Sequence, residues 1–370
     1  MCAHILILTA GFGEGHNAAA RALAVACDGL HGTGTAHVAD VFALAAPRLN
    51  GVVRRGYLGL INRAPHVWSA VYRWLDRSTV FPRVLRSMTR ERRVLAELIR
   101  RKQPAAICCT FPAYAFILDA LARQRGLAVP FFNVVTDSIS INSLWWRAGA
   151  AGWFLPNEES ANVLRRVGID EGRLHVTGFP VPPFFEAHAE QLMPPDLAGG
   201  GVPRVLYIIN SRTRGAAETA RRLLTETPWE ITCIFGRNDA LREELERFGA
   251  FRAAKCSILG WTDEIPKLLM THHVVVSKAG GATMQEALAA RCPMIVNQIV
   301  PGQEEGNYEL LRRHGIGAFA QTPQAVIEEL RRAFAAEGRV WRQWRSAIGP
   351  LARPRAAHDI ASAIFSHVGS

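Results

Sequence analysis

Short apolar runs alternate with longer segments of helical periodicity through the first half of the 370-residue chain. Between the runs, segments such as 17–30 repeat apolar residues at helical spacing. Continuous apolar strands joined by helices are typical of a parallel sheet covered on both faces. The pattern therefore predicts a doubly wound α/β domain, with strands near residues 4–9, 36–41, 106–110, 131–135 and 152–155.

A stretch rich in proline and glycine, from Phe179 to Pro203, interrupts this alternation. The alternation resumes with apolar runs at 204–209, 231–235, 257–259, 273–277 and 294–297. At roughly 150 residues per domain, the length also suggests two domains. We expect a Rossmann-like domain at 1–180, a linker at 181–203, a second Rossmann-like domain at 204–340, and terminal helices at 341–370 that pack back towards the N-terminal domain.

The chain is basic, with 43 Lys and Arg against 32 Asp and Glu and a net charge of +11. Residues 48–102 hold fourteen Lys and Arg against three Asp and Glu, interleaved with aromatic and aliphatic residues. This mixture is typical of a basic amphipathic helix on an anionic membrane, although an arginine-rich solvated face has the same composition. Nucleic-acid binding could use the same charges, but no recognised motif indicates it. The predicted membrane contacts are Arg54, Arg55, Trp68, Tyr72, Arg73 and Trp74.

Seven cysteines form no CxxC pair, so neither a zinc site nor a disulfide framework is predicted. The N-terminus runs into an apolar strand without an export signal. No apolar stretch reaches the length of a membrane-spanning helix. We expect a cytoplasmic protein, peripheral on the inner face of the membrane, with its oligomeric state left open.

The first strand ends in a glycine-rich turn, Gly11 to His16, directly before a helix. Glycines there bring backbone amides of a helix N-terminus close to an anionic ligand. A dinucleotide fingerprint would need glycine at His16, but Asp40 could hold a ribose, so a nicotinamide enzyme is an alternative. His16 lies where a general base would sit, at the carboxyl ends of the strands. It could equally be a histidine that packs on the turn.

Two polar loops of the second half also suit a ligand. In Ser277 to Thr283, Gly280 and Gly281 would present amides to a pyrophosphate, and Glu286 would bind ribose hydroxyls. Thr283 and Glu286 also fit a capping box, which needs no ligand. The loop 301–307 suits sugar hydroxyls or simply begins a helix.

Taken in order, these motifs resemble a known family, that of monogalactosyldiacylglycerol synthase and processive diacylglycerol glucosyltransferase. A more distant likeness is to the peptidoglycan N-acetylglucosaminyltransferase that acts on a lipid-linked precursor. The resemblance covers residues 5–322 and rests on GFGEGHNAAARAL (11–23), VADVF (38–42), Arg63-Ala64-Pro65 with Tyr72, VVTD (134–137), LHVTGFPVPPFF (174–185), FGRND (235–239), GWTDEIPKLL (260–269), SKAGGATMQEALA (277–289) and PGQEEGN (301–307).

The resemblance implies a GT-B fold, with two Rossmann-like domains facing a central cleft, and an inverting transfer. A hexose or N-acetylhexosamine would pass from a UDP-sugar, held by the C-terminal domain, to a diacylglycerol-like lipid under the N-terminal domain, without a metal ion or other cofactor. His16 is then the candidate base, with Asp137 the second candidate, and Gly13, Gly15 and Asn142 form the acceptor loop. The implied donor-binding residues are Gly236, Asn238, Trp261, Gly280, Gly281, Ala282, Thr283, Glu286, Gln303, Glu304 and Asn307.

The chain departs from the family pattern at two places. Asp137 is followed by Asn142 and Trp145 without the usual histidine. The glycine-rich turn after the first strand of the second domain is replaced by residues 209–214, where Arg212 or Arg214 could supply charge to the pyrophosphate. The alternatives are a catalytically silent nucleotide-binding protein of the same fold and a sugar-nucleotide epimerase.

Overall fold

A computed structural model of the chain describes residues 4–126, 128–209, 215–236, 238–247, 256–302 and 304–369. The chain divides into two compact units. The first unit runs up to Pro183 and includes Pro301–Gly306 and the segment from Arg355 onward. The second unit comprises Phe184–Val300 and Asn307–Pro354.

The first unit is built on a six-stranded sheet with strand order β2-β1-β3-β4-β5-β6. All neighbouring strands are parallel, and Ile5 pairs with Ala36 on one side and Ala106 on the other. The strands are β1 (Ile5–Leu8), β2 (Ala36–Ala39), β3 (Ala106–Cys109), β4 (Phe131–Val134), β5 (Gly152–Leu155) and β6 (Leu174–Val176).

The second unit contains another parallel six-stranded sheet, with strand order β12-β11-β10-β7-β8-β9. The two-sheet α/β architecture predicted from the apolar runs is thus confirmed. The pattern missed β6 and β12, since each is three residues long with a single buried residue. The strands are β7 (Arg204–Ile208), β8 (Glu230–Ile234), β9 (Cys256–Leu259), β10 (Val274–Lys278), β11 (Met294–Gln298) and β12 (Gly317–Phe319).

Helices connect the parallel strands, as parallel pairing requires. In the first unit they are α1 (Glu14–His31), α2 (Val41–Ala45), α3 (Pro47–Arg63), α4 (Pro65–Arg77), α5 (Phe81–Ser87), α6 (Thr89–Lys102), α7 (Ala113–Arg125) and α8 (Glu158–Arg166). They continue with α9 (Phe184–Ala187), α10 (Ala216–Glu226), α11 (Asp239–Arg247), α12 (Ile265–Thr271), α13 (Gly281–Ala289), α14 (Glu305–His314), α15 (Pro323–Ile348, non-helical at 335–338) and α16 (Ala356–Gly369).

The core of the first unit has two layers because successive strand residues face opposite sides of the sheet. Leu6 and Leu8 pack in one layer with α7, and Ile5 and Ile7 pack in the other with α1 and α16. The burial of both faces explains why these strands read as continuous apolar runs rather than alternating ones.

The basic segment 48–102 is four helices, α3 to α6, and not the single amphipathic helix that its composition suggested. Proline at the first helical position starts α3 and α4, where its fixed φ and missing N–H are tolerated. The chain can therefore turn between the helices, and α5 and α6 pack against α7.

The predicted terminal segment 341–370 is divided between the two units. Trp341 and Trp344 are buried in the core of the second unit, and the Trp341 indole N–H donates to the His273 carbonyl at 2.8 Å. Ile360 and Ile364 of α16 are buried against the first sheet.

Candidate functional site

The glycine-rich turn places His16 in the first turn of α1. The helix begins at Glu14, three residues before the predicted start, with Gly13 as N-cap at a φ of 155° that favours glycine. The amides of Gly15 and His16 therefore belong to the helix N-terminus, where N–H groups lack intrahelical acceptors.

The His16 ring is held by two partners from neighbouring strand ends. Its Nδ1 lies 2.7 Å from the Thr110 carbonyl oxygen and 2.9 Å from Thr136 Oγ1. A carbonyl only accepts, so Nδ1 carries the proton and Nε2 keeps its lone pair. Burial lowers the pKa of His16 to about 4. The imidazole is therefore neutral at pH 7, in the tautomer that can take a proton at Nε2.

Asp137 is the second titratable group of this region. Its Oδ2 accepts a hydrogen bond from the Trp145 indole N–H at 2.9 Å and a longer one from the Asn142 amide at 3.4 Å. Burial raises the pKa of Asp137 to about 6, although the Trp145 hydrogen bond acts in the opposite direction. The carboxylate is thus largely ionised at neutral pH, and its charge state changes in mildly acidic solution.

His16, Asp137 and Asn142 line a cavity of about 530 Å³ inside the first unit, here called the chamber. The rest of its wall is mainly apolar and aromatic and comes from α2 to α7 and the loops beside them. Tyr72 also lines the chamber. Its hydroxyl is hydrogen-bonded to Asn142, and burial raises its pKa. The site therefore joins a polar end that contains a base to a larger apolar volume.

A second candidate site follows β10 in the second unit. Gly280 is the N-cap of α13, so the amides of Gly281, Ala282 and Thr283 form the first helical turn and have no intrahelical acceptor. The helix dipole adds partial positive charge at this position. The capping-box alternative is wrong, because Thr283 is the third helical residue and Gly280 occupies the cap without a side-chain bond.

Asn307, in the first turn of α14, is hydrogen-bonded to the chain just before Gly280. Its Nδ2 donates to the Ala279 carbonyl at 2.9 Å, while its buried Oδ1 has no partner among the described residues. Glu286 is half-buried in α13, and Glu304 is buried. The first-turn amides of α13 and the Asn307 side chain thus lie after the carboxyl end of β10, where ligands of parallel sheets bind.

Comparison with known proteins tests the predicted family resemblance. The sequence model of the Monogalactosyldiacylglycerol (MGDG) synthase family matches residues 16–181, which include His16, Asp137 and the chamber helices. Over 369 residues the chain is 24% identical to the processive diacylglycerol beta-glucosyltransferase of Bacillus cytotoxicus, covering 98% of this chain and 93% of the relative. The predicted family resemblance is confirmed.

Solved structures place the fold in the GT-B class, as predicted. MurG of Acinetobacter baumannii aligns with a TM-score of 0.62 at 14% identity, covering 98% of this chain and 99% of that one. The UDP-GlcNAc 2-epimerase of Neisseria meningitidis, bound to UDP-GlcNAc, aligns with a TM-score of 0.61 at 12% identity, covering 98% and 100%. At these identities the likeness concerns the fold alone.

Three further donor-site predictions fall on other loops of the GT-B chain. Gly236 has a φ of 56°, and Asn238 caps α11 by accepting from the Leu241 amide at 3.4 Å. Trp261 is 69% exposed in the loop after β9. Gln303 and Arg212, with the whole departure at 210–214, lie outside the described residues.

Asp40 has a structural role that sequence reasoning did not predict. One carboxylate oxygen caps α2 through the Ala43 amide at 2.9 Å, and the other accepts from the Gly11 amide at 3.0 Å. Because each carboxylate oxygen already accepts a hydrogen bond from a backbone amide, Asp40 orders the glycine-rich turn. The nicotinamide alternative, which needed Asp40 for a ribose, loses its support.

The predicted membrane contacts divide into exposed and buried residues. Arg54, Arg55 and Arg73 are exposed, and Trp74 is 59% exposed. The structure corrects the assignment of Trp68, which is 8% exposed, lines the chamber and packs edge-on against Tyr57. Tyr72 likewise belongs to the chamber wall, because helix packing turns both rings inward.

The residues that hold the two titratable groups were not predicted. Thr110 and Thr136 reach His16 from distant parts of the chain, whereas Trp145 reaches Asp137 from eight residues away. Asp76 holds the segment that carries Trp145 by accepting from the Ser143 amide. Thr136 lies within the VVTD motif (134–137) and Trp145 follows it by eight residues. Their closeness to this motif was the one sequence signal that could have indicated their role.

The described residues contain no group of three or more His, Cys, Asp or Glu side chains placed to hold a metal ion. In the same part of the chain, no helix has the length and apolar content needed to cross a membrane.

Proposed function

We propose that the chain is an inverting glycosyltransferase that moves a sugar from a UDP-sugar to the hydroxyl of a diacylglycerol-type lipid. The observation that carries this proposal is the neutral His16, whose Nδ1–H is held by the Thr110 carbonyl at one end of an apolar chamber. The related processive diacylglycerol beta-glucosyltransferases support the substrate class.

On the acceptor side, Nε2 of His16 removes the proton of the lipid hydroxyl as the oxygen attacks the anomeric carbon. The Thr110 carbonyl fixes the ring and stabilises the imidazolium that forms. The Asp137 carboxylate lines the same chamber and is the second candidate base. Because the low pKa keeps the imidazole neutral, the base is ready at any pH well above 4.

On the donor side, the first-turn amides of α13 bind the diphosphate of the UDP-sugar. Glu286 binds the ribose hydroxyls, and Glu304 and Asn307 bind the sugar. During transfer the developing charge of the departing UDP is stabilised by these amides and by basic side chains instead of a metal ion. A single direct displacement of this kind inverts the anomeric centre.

The enzyme works at the inner face of the membrane as a peripheral protein. Exposed Arg54, Arg55 and Arg73 supply the positive charge that an anionic leaflet attracts. The exposed indole of Trp74 suits the headgroup region, where its ring is partly buried and its N–H stays hydrated.

A donor panel tests this proposal. The purified chain is incubated with several UDP-sugars and anionic vesicles that contain diacylglycerol, and the extracted lipids are read by mass spectrometry. We expect at least one donor to give a diacylglycerol product heavier by one sugar residue. Nucleotide binding without any lipid product, or conversion of the UDP-sugar to its epimer, would overturn the proposal in favour of one of the two alternatives.

A further inference from the structure

We propose that the chamber holds one acyl chain of the acceptor lipid, which enters through an apolar mouth between α3 and α5, while the second chain stays outside. This inference rests on the proposed function. It concerns the part of the acceptor that does not react.

The size of the chamber fits one chain. Its volume of about 530 Å³ lies in the range of pockets that enclose a single small ligand, roughly 300–1,000 Å³. A methylene group takes about the space of a water molecule, roughly 30 Å³ in the liquid. The chamber therefore has room for one long acyl chain.

The mouth is marked by apolar residues that line the chamber and also face solvent. Leu49 and Val53 of α3 are 62% and 48% exposed, and Val84 of α5 is 48% exposed. An apolar rim of this kind costs free energy in water unless it meets an apolar partner. Arg55 and Arg83, both exposed, flank these residues and suit an anionic bilayer surface.

The polar groups of the chamber fix the direction in which the lipid lies. His16 belongs to the first turn of α1, and Asp137 and Asn142 belong to the loop after β4, whereas the mouth residues belong to α3 and α5. Two other polar lining residues, Asn50 and Glu91, lie on the helical wall. A lipid with its hydroxyl at Nε2 of His16 would therefore extend its chain along the helical wall. The buried indole N–H of Trp68, in that wall, has no acceptor among the described residues. An ester carbonyl in the chamber would be an acceptor for it.

Binding can be measured without any sugar transfer. The probe is a monoacylglycerol with bromine near the chain end, which quenches tryptophan fluorescence on contact. We expect saturable quenching of the wild type and a smaller amplitude in Trp68→Phe, since Trp68 lines the chamber. Quenching that does not saturate, or that is the same in Trp68→Phe, would overturn the inference.

Glycine positions on α3 supply a matched pair of variants. A Cβ atom added at Gly56 would have no atom within 4 Å, and Gly56 lines the chamber. Gly56→Leu should therefore narrow the mouth without a clash and weaken probe binding at least tenfold. Gly51→Leu, where there is equal space but no chamber contact, is the control and should bind as the wild type does. Equal probe affinities of Gly56→Leu and Gly51→Leu would contradict an entrance to the chamber beside α3.

A series of water-soluble monoacylglycerols of increasing chain length tests whether the chamber holds a single acyl chain. Affinity should rise roughly fourfold for each added methylene until the chamber is full. A soluble diacylglycerol of equal chain length should gain less than twofold, because its second chain stays outside. Affinity independent of chain length, or a steeper gain for two chains, would overturn the inference.

These results separate the two proposals. Saturable binding without sugar transfer would leave the chamber as an acyl-chain site and contradict the proposed function. Sugar transfer to lipid without saturable, length-dependent binding would contradict only the chamber inference.

Discussion

The two candidate sites are built from different parts of the polypeptide. The polar end of the chamber depends on side-chain contacts, such as that of His16 with Thr136, 120 residues away, and that of Asp137 with Trp145. The donor site after β10 depends on backbone amides that a local Gly280-Gly281 turn exposes at the start of α13. A buried side-chain network shifts pKa values, whereas a helix N-terminus supplies a fixed dipole. The first arrangement suits proton transfer and the second suits a phosphate.

Among the predicted changes, removal of the proposed base should have the largest effect, and it should act on the rate of sugar transfer. His16→Ala should lower the rate of sugar transfer by about 10²- to 10⁴-fold, because no other group takes the proton from the acceptor. UDP affinity should stay unchanged, since the donor site uses other residues. Initial rates and calorimetry measure the two quantities, with the exposed His66→Ala as control. Near-normal transfer by His16→Ala would assign the base to another group, with Asp137 as the next candidate.

A change in the donor site should lower UDP affinity, in contrast to removal of His16, which should lower only the rate of transfer. Glu286→Ala should weaken UDP binding by about 1–3 kcal/mol, the loss of a hydrogen bond to a charged group. Glu286→Gln, which keeps an acceptor oxygen, should lose less. Calorimetry and a melting temperature separate the two roles of this residue. Unchanged UDP affinity with a lowered melting temperature would make Glu286 a structural residue of α13.

Membrane attraction should depend on the first unit and not the second. Arg54→Ser with Arg55→Ser should weaken binding to anionic vesicles by up to roughly 1 kcal/mol per residue. Flotation at low and high salt measures this, because screening shortens the reach of the attraction. Arg312→Ser with Arg313→Ser removes the same charge from α14 and should bind as the wild type does. Equal recovery on neutral and anionic vesicles would contradict an electrostatic surface.

The smallest expected effect concerns the pH dependence. Sugar transfer should fall as the pH drops through about 6, where Asp137 gains a proton, and further towards 4, where His16 does. Trp145→Phe removes a hydrogen bond that lowers the Asp137 pKa. The fall in transfer rate near pH 6, here called the upper limb of the pH–rate profile, should therefore move to higher pH by up to roughly one unit. A pH–rate profile tests the shift. A limb that stays in place or moves to lower pH would exclude Asp137 as its source.

The same contrast explains what the sequence could predict. The glycine turns and helix starts are local, so Gly13, His16 and Gly280 could be placed from spacing alone. Most strands were found because burial on both faces leaves continuous apolar runs. Thr110 gave no signal of its role, because its contact with His16, 94 residues away, forms only when β1 and β3 pair in the sheet. Trp68 was misplaced because composition does not show which side of a helix faces inward.

The anomeric configuration of the product tests the central claim most directly. That claim is a single displacement in which His16 deprotonates a lipid hydroxyl while UDP departs. Proton NMR of the glycolipid made from an α-linked UDP-hexose should show the coupling constant of a β-linked sugar. An α-linked product would contradict the account.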